Sequence, residues 1–325
     1  MRGQPDRPPP EAARTPDAAS TPDSAPTPDS ARMPEARVWR LPPGHPSSPY
    51  DGKGDLRPPV PDPRERELPL PRQDAPDRDS GGPWREAVPR LRELWRKHEE
   101  KWPDARRPPA DRSQDEPGSW RSDSGHYLNA EENLVAEHAK QRIGDAERKA
   151  TPTLRDIMSE VPGATLVGLQ YRLKGEDRFK EKISEELRAK PDRSVSQISE
   201  NMPDAIRYTY QLEADRYVNG YWDIRRSLVD HGYTLDLSRN SWNSSQYKGL
   251  NTRWRGPDGQ LIEVQLHTPE SFEAKQLTHK AYERIRSPST SDRERDELYE
   301  FQAAASTNIP VPDGASAIPD HRERH

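Results

Sequence analysis

The placement of proline sets the first limit on this chain. Of its 36 prolines, 26 lie before residue 121. Proline removes a backbone donor and fixes φ, so it interrupts the interiors of helices and sheets alike. Apolar residues make up 30% of the 325 positions and mean hydropathy is −1.21, too polar a balance for a packed core throughout. The pattern predicts a disordered region over 1–125, one globular domain over 126–308 and an irregular tail over 309–325. Thr15-Pro16-Asp17, Thr21-Pro22-Asp23 and Thr27-Pro28-Asp29 recur at six-residue steps. That period is too short for a stacked solenoid and reads as an extended tether. Within the first region, Val88, Leu91, Leu94 and Trp95 fall at helical spacing. They predict a short amphipathic helix near 84–102 that docks on the main domain.

Other function classes are narrowed by what is scarce. The chain has no cysteine, so disulfide frameworks, cysteine-ligated zinc and a cysteine nucleophile are excluded. A net charge of −5 argues against a general nucleic-acid binder. No secretory leader is visible at Met1–Pro10 and no apolar run approaches membrane-spanning length, so a cytoplasmic location without membrane contact is expected.

The stretch from Ser245 to Thr268 predicts a β-hairpin. Its middle holds Gly256, Pro257, Asp258 and Gly259. In the second arm Ile262, Val264 and Leu266 face one side, and Glu263, Gln265 and His267 the other. An ordinary half-buried strand with a polar outer face accounts for this alternation. Gly249, beside Tyr247 and Lys248, marks a place where a ligand or another backbone comes close.

Upstream, Asn129 to Lys149 reads as a charged helix, and Pro152 opens a second one through Met158. Ala164 to Tyr171 reads as a strand that passes into a helix ending near Lys190. Lys174, Arg178 and Lys182 are four apart and share one stripe if that helix begins by Lys174. Fixed cations at a strand-to-helix junction suit a polyphosphate; a solvated face paired with Glu181, Glu185 and Glu186 explains them equally well. Ala205 to Leu212 is a strand led by Asp204. Asp215 to His231 is a helix with Val218, Trp222, Ile224, Leu228 and Val229 inward and Gly232 at its end. Helices follow over Ser271–Ile285, carrying Lys275, His279 and Tyr282, and over Asp292–Ala305. The fold class is α+β, with a mixed, mostly antiparallel sheet of about five strands flanked by helices.

Tyr247-Lys-Gly-Leu-Asn-Thr followed by Glu263-Val-Gln-Leu-His-Thr resembles the paired motifs of the RelA/SpoT nucleotidyltransferase (alarmone synthetase) family. Arg172, Lys174 and Lys182 match the spacing of that family's ATP-binding cations, and Asp204 resembles its magnesium ligand. The likeness spans about 125 residues. It implies transfer of pyrophosphate from ATP to the 3′-hydroxyl of a nucleotide, with AMP leaving. It implies Mg2+ held by Asp204 and Glu263, Glu263 as base, and ATP on Arg172, Lys174, Arg178 and Lys182, with Lys180 in reserve. The acceptor, GDP/GTP or ADP/ATP, would meet Tyr247, Lys248, Asn251, Gln265 and His267, with Tyr247 stacking on the base. Arg178 stands where the family often has Ser, and Asn251 where it has His. No His-Asp metal pair of the family's hydrolase half occurs. The other implied readings are an inactive nucleotide-binding module and a toxin that modifies tRNA 3′ ends.

Overall fold

The computed structural model describes residues 82–103, 110–287 and 289–322. The tether and its repeats lie outside the described residues.

Helix α1 (Pro83–Lys101) begins with proline at its first turn, where the missing donor costs nothing. Trp84 and Leu91 are buried in the core and Val88 and Trp95 pack against it, so this helix docks, but Leu94, expected on the same stripe, is 39% exposed. A small hairpin, β1 (Trp120–Arg121) with β2 (Tyr127–Leu128), leads into α2 (Ala130–Glu160). Asn129 caps α2 in a reciprocal box with Glu132. The expected break at Pro152 is absent: α2 runs through it as one helix of 31 residues. An interior proline costs one backbone bond and some crowding, about 3 kcal/mol. Ala146, Ala150, Leu154 and Ile157, buried on the same face, offset it.

The expected strand over Ala164–Tyr171 shortens to β3 (Thr165–Val167), because Gly168 turns left-handed at φ 66° and a 3-10 turn follows. Helices α3 (Glu176–Ala189) and α4 (Val195–Glu200) come next, α4 unforeseen. Gly175 is the N-cap of α3, so Lys174 lies outside the helix and the predicted three-residue stripe does not form. Then come β4 (Arg207–Gln211), α5 (Tyr217–Asp230), β5 (Thr234–Asn240), β6 (Leu250–Arg255), β7 (Leu261–His267), α6 (Pro269–Arg286) and α7 (Asp292–Thr307). On α5 the expectation fails for two residues. Trp222 is 37% and Val229 54% exposed, and Tyr217, Tyr221, Ile224 and Leu228 face inward instead. The buried stripe is displaced by one residue because Tyr217 and Tyr221 carry the packing.

The sheet has six strands rather than five, in the order β3-β4-β7-β6-β5 followed by β8 (His321–Arg322). β4 and β7 pair in parallel, and the other neighbours are antiparallel. The tail after 308 is thus not wholly irregular. β8 adds an edge to β5, and the Asn240 amide donates to the carbonyls of Ala315 and Ile318 at 2.8 Å each.

One sheet face is apolar. Ile262, Val264 and Leu266 are buried there, each stabilising the fold by roughly 1.5–3 kcal/mol. Tyr208 and Tyr210 of β4 stand beside Val264 and Leu266 and bond α2 through Thr151 at 2.7 Å and the Leu154 carbonyl at 2.6 Å. The other face was expected to meet solvent and does not: all seven residues of β7 are buried. Thr268 caps α6 and Pro269 starts it directly after β7, so α6 folds back over the polar face.

Candidate active site

The buried polar face is built in cross-strand rows. Arg207 on β4 and Arg253 on β6 are both in register with Glu263 on β7. One row further along, Thr209 and Asn251 flank Gln265. Residues in register on neighbouring strands point to the same side, so these side chains gather into one polar core. Arg253 is tied to Asp236 of β5.

Glu263 is 1% exposed. The Gln265 amide donates to its Oε1, and Lys275 of α6 donates to Gln265 Oε1. Glu263 Oε2 is buried and accepts no hydrogen bond. Burial raises the Glu263 pKa, the Arg207 charge opposes this and the Asp204 charge adds to it. Lys275 is pushed down to about 7, chiefly by desolvation and then by Arg207.

Asp204 sits in the 3-10 turn before β4. Its Oδ2 meets Lys174 at 3.0 Å, and Lys182 donates to its Oδ1 at 2.6 Å. The two ammonium groups outweigh desolvation and hold Asp204 well below the usual carboxylate range. Lys174 is held in place by the backbone: its N–H donates to the Ala205 carbonyl at 3.1 Å. Desolvation brings its own pKa down to about 8.

The structure therefore brings Asp204, Lys174 and Lys182 into one cluster, and Glu263 with Gln265 into another beside it. Arg172 is turned elsewhere, to Glu147 of α2 and the Leu169 carbonyl. Arg178 bridges Glu181 at 3.1 Å and Glu283 of α6 at 3.0 Å. Lys180 pairs with Glu137 of α2 and Glu176, away from Asp204.

The residues expected to meet an acceptor form a chain of bonds. The Tyr247 hydroxyl reaches Asn251 Oδ1 at 2.9 Å and His267 Nε2 at 2.8 Å, and His267 Nδ1 meets Ser271 Oγ at 2.9 Å. The Tyr247 ring is 7% exposed, so stacking on a base requires the loop before β6 to move. Gly249 lies against His267, as the closeness expected there implies: a Cβ would come within 2.9 Å of its ring. Lys248 donates to the Trp242 carbonyl at 2.8 Å. Burial holds His267 well below 6.5, with the Lys275 charge adding to the effect, so the ring is neutral.

Sequence reasoning left Arg207 and Lys275 without a role and passed over Arg253. A signal for Arg253 existed, since counting outward from the hairpin turn sets it opposite Glu263. For Lys275 the helix alone gave none.

Among the described residues no group of three or more acidic or histidine side chains converges. Magnesium is ordinarily held by one or two carboxylates plus substrate phosphates and water, so two suffice. Glu263 Oε2, buried without a hydrogen-bond donor, fits a cation.

Neither a protein-family model nor a curated protein matches the chain. Solved structures do. Small alarmone synthetase 1 from Bacillus subtilis, bound to its product pppGpp, is 16% identical over 51% of this chain and 88% of its own, with a TM-score of 0.36. The Type VI effector Tas1, in complex with its immunity protein, is 15% identical over 53% of this chain and 95% of its own, at 0.36. A GTP pyrophosphokinase family protein from Streptococcus pneumoniae is 12% identical over 55% of this chain and 90% of its own, at 0.37. The first and third carry names of the kind of protein that the Tyr247 and Glu263 motifs resemble. At such identities and TM-scores the likeness by itself says nothing about what this chain acts on.

Proposed function

We propose that the chain transfers a pyrophosphate group from ATP to the 3′-hydroxyl of a purine nucleotide and releases AMP. One observation carries the reading: a buried carboxylate, Glu263, keeps one oxygen without a donor while its other oxygen is held by Gln265. A buried acceptor left unsatisfied costs about 1–3 kcal/mol, and a catalytic role is one ground on which such a cost is retained.

In this reading the acceptor 3′-oxygen attacks the β-phosphorus of ATP. The bond from that phosphorus to the α–β bridging oxygen breaks, AMP departs and the hydroxyl proton passes to Glu263 Oε2. A carboxylate whose pKa is raised by burial is a better base than one in water. Lys174 and Lys182 supply fixed positive charge for the donor phosphates, exchanging Asp204 oxygens for phosphate oxygens. Asp204, released by the lysines, would hold magnesium, which when bound would neutralise charge on the donor phosphates; Glu263 Oε2 could join it only before it takes the proton. Asn251 and His267 orient the acceptor, and Tyr247 takes its base once the loop opens. His267, neutral by burial, is a hydrogen-bonding group and not a proton carrier.

Incubation with ATP and each of GDP, GTP, ADP and a tRNA, followed by mass spectrometry of the nucleotides, tests this. AMP appearing with an equal amount of one 3′-pyrophosphorylated acceptor supports it. ATP that survives unchanged with every acceptor refutes it.

A further inference from the structure

Lys275 lies seven residues after the cap of α6, two helical turns along a helix that folds back on β7. That length brings its ammonium to Gln265 Oε1. Gln265 in turn gives its amide N–H to Glu263 Oε1. With Lys275 protonated and Glu263 ionised, the order of this chain is fixed by the chemistry of its ends. A lysine ammonium has three donors and no acceptor, and an ionised carboxylate only accepts. A flipped Gln265 amide would set NH2 against ammonium and carbonyl oxygen against carboxylate, two repulsive contacts in place of two bonds.

We infer that Lys275, acting through Gln265, is a positioning residue for Glu263: it fixes the amide, the amide occupies Oε1, and Oε2 is left facing the acceptor hydroxyl. The inference rests on the pyrophosphokinase reading and adds to it which oxygen works and what selects it. The surroundings agree. Arg207 of β4 and Arg253 of β6 flank Glu263, and Arg253 is committed to Asp236 of β5. Asp204, ahead of β4, is committed to Lys174 and Lys182. Removing Lys275 would free the Gln265 amide to rotate and let Oε2 drift. Misplacement of a reacting group by about 1 Å costs on the order of 100-fold.

The test compares the full-length wild type with Lys275→Met and Lys275→Arg. Lys275→Met is expected to lower kcat about 100-fold with the KM for ATP within about twofold, and Lys275→Arg to recover to within about tenfold of wild type. A second readout needs no turnover: hydrogen exchange of the Gln265 side-chain amide in protein labelled with 15N-glutamine, assigned by Gln265→Glu. Protection is expected in wild type and Lys275→Arg, and at least tenfold faster exchange in Lys275→Met. Lys275→Met turning over within about twofold of wild type, or unchanged amide exchange, overturns the inference alone. Wild type that releases no AMP overturns the pyrophosphokinase reading, and the amide signal then judges the relay itself.

Discussion

Lys182 and Asp204 are 22 positions apart, yet the Lys182 ammonium donates to Asp204 Oδ1 at 2.6 Å while Lys174 holds the other oxygen at 3.0 Å. One carboxylate, in the 3-10 turn ahead of β4, thus ties together the middle of α3 and the residue just before that helix's cap. Breaking a buried pair leaves a charge without compensation, whereas replacing both partners is often neutral. Asp204→Asn is therefore expected to destabilise the fold by about 3–5 kcal/mol, and Asp204→Leu combined with Lys174→Met and Lys182→Met to recover most of that loss. Urea unfolding of the three proteins measures the difference.

His267 gives stability a pH dependence of known sign. Its folded-state pKa is held well below 6.5 by burial, so the folded ring stays neutral while the unfolded chain binds a proton below 6.5. The stability it supports is complete above pH 6.5 and declines as the pH falls toward the folded pKa, by at most about 1.4 kcal/mol per pH unit. Unfolding free energy should fall further between pH 7.5 and pH 5 in wild type than in His267→Gln. Equal differences would mean that the ring is charged in the folded protein.

Gly249 has φ 147°, a conformation that side chains rarely adopt, and a Cβ there would meet the His267 ring at 2.9 Å and the Leu266 carbonyl at 3.1 Å. Backbone and neighbour both resist it. Gly249→Ala should cost about 1–3 kcal/mol in urea unfolding and weaken the Tyr247–His267 bond. Gly259, also at positive φ but with open space around it, should lose only the backbone part.

These residues show what the sequence could and could not convey. The alternation of Leu261–His267 foretold two chemically different faces. It could not foretell that the polar one is covered, because the cover is α6, whose direction is set by Thr268 and Pro269 and by packing far along the chain. The pairing of Glu263 with Arg253 was open to counting across a hairpin; its pairing with Arg207 was not, since β4 and β7 run parallel over a long connection. Spacing alone puts Lys174, Arg178 and Lys182 on one stripe. Gly175 ends that stripe, and Arg178 turns to Glu283 of α6. The two-residue β8 is too short for any period to reveal.

Trp84 of α1 is buried and its indole donates to Glu273 of α6 at 2.8 Å, two residues before Lys275. Trp84→Ala should cost about 3–5 kcal/mol by the cavity it leaves, and Trp84→Phe less, since the ring volume is mostly kept. Thermal unfolding of both variants checks this. A loss below 1 kcal/mol for Trp84→Ala would mean that α1 does not dock as described.

Pyrophosphate transfer at this site depends on Glu263 as the group that takes the acceptor proton. The most direct measurement is AMP release from ATP in the presence of a purine nucleotide acceptor, by wild type and by Glu263→Gln under identical conditions. A base of this kind contributes about 100- to 10,000-fold, so Glu263→Gln should release AMP at least about 100-fold more slowly while remaining folded. Equal rates in the two proteins would contradict it.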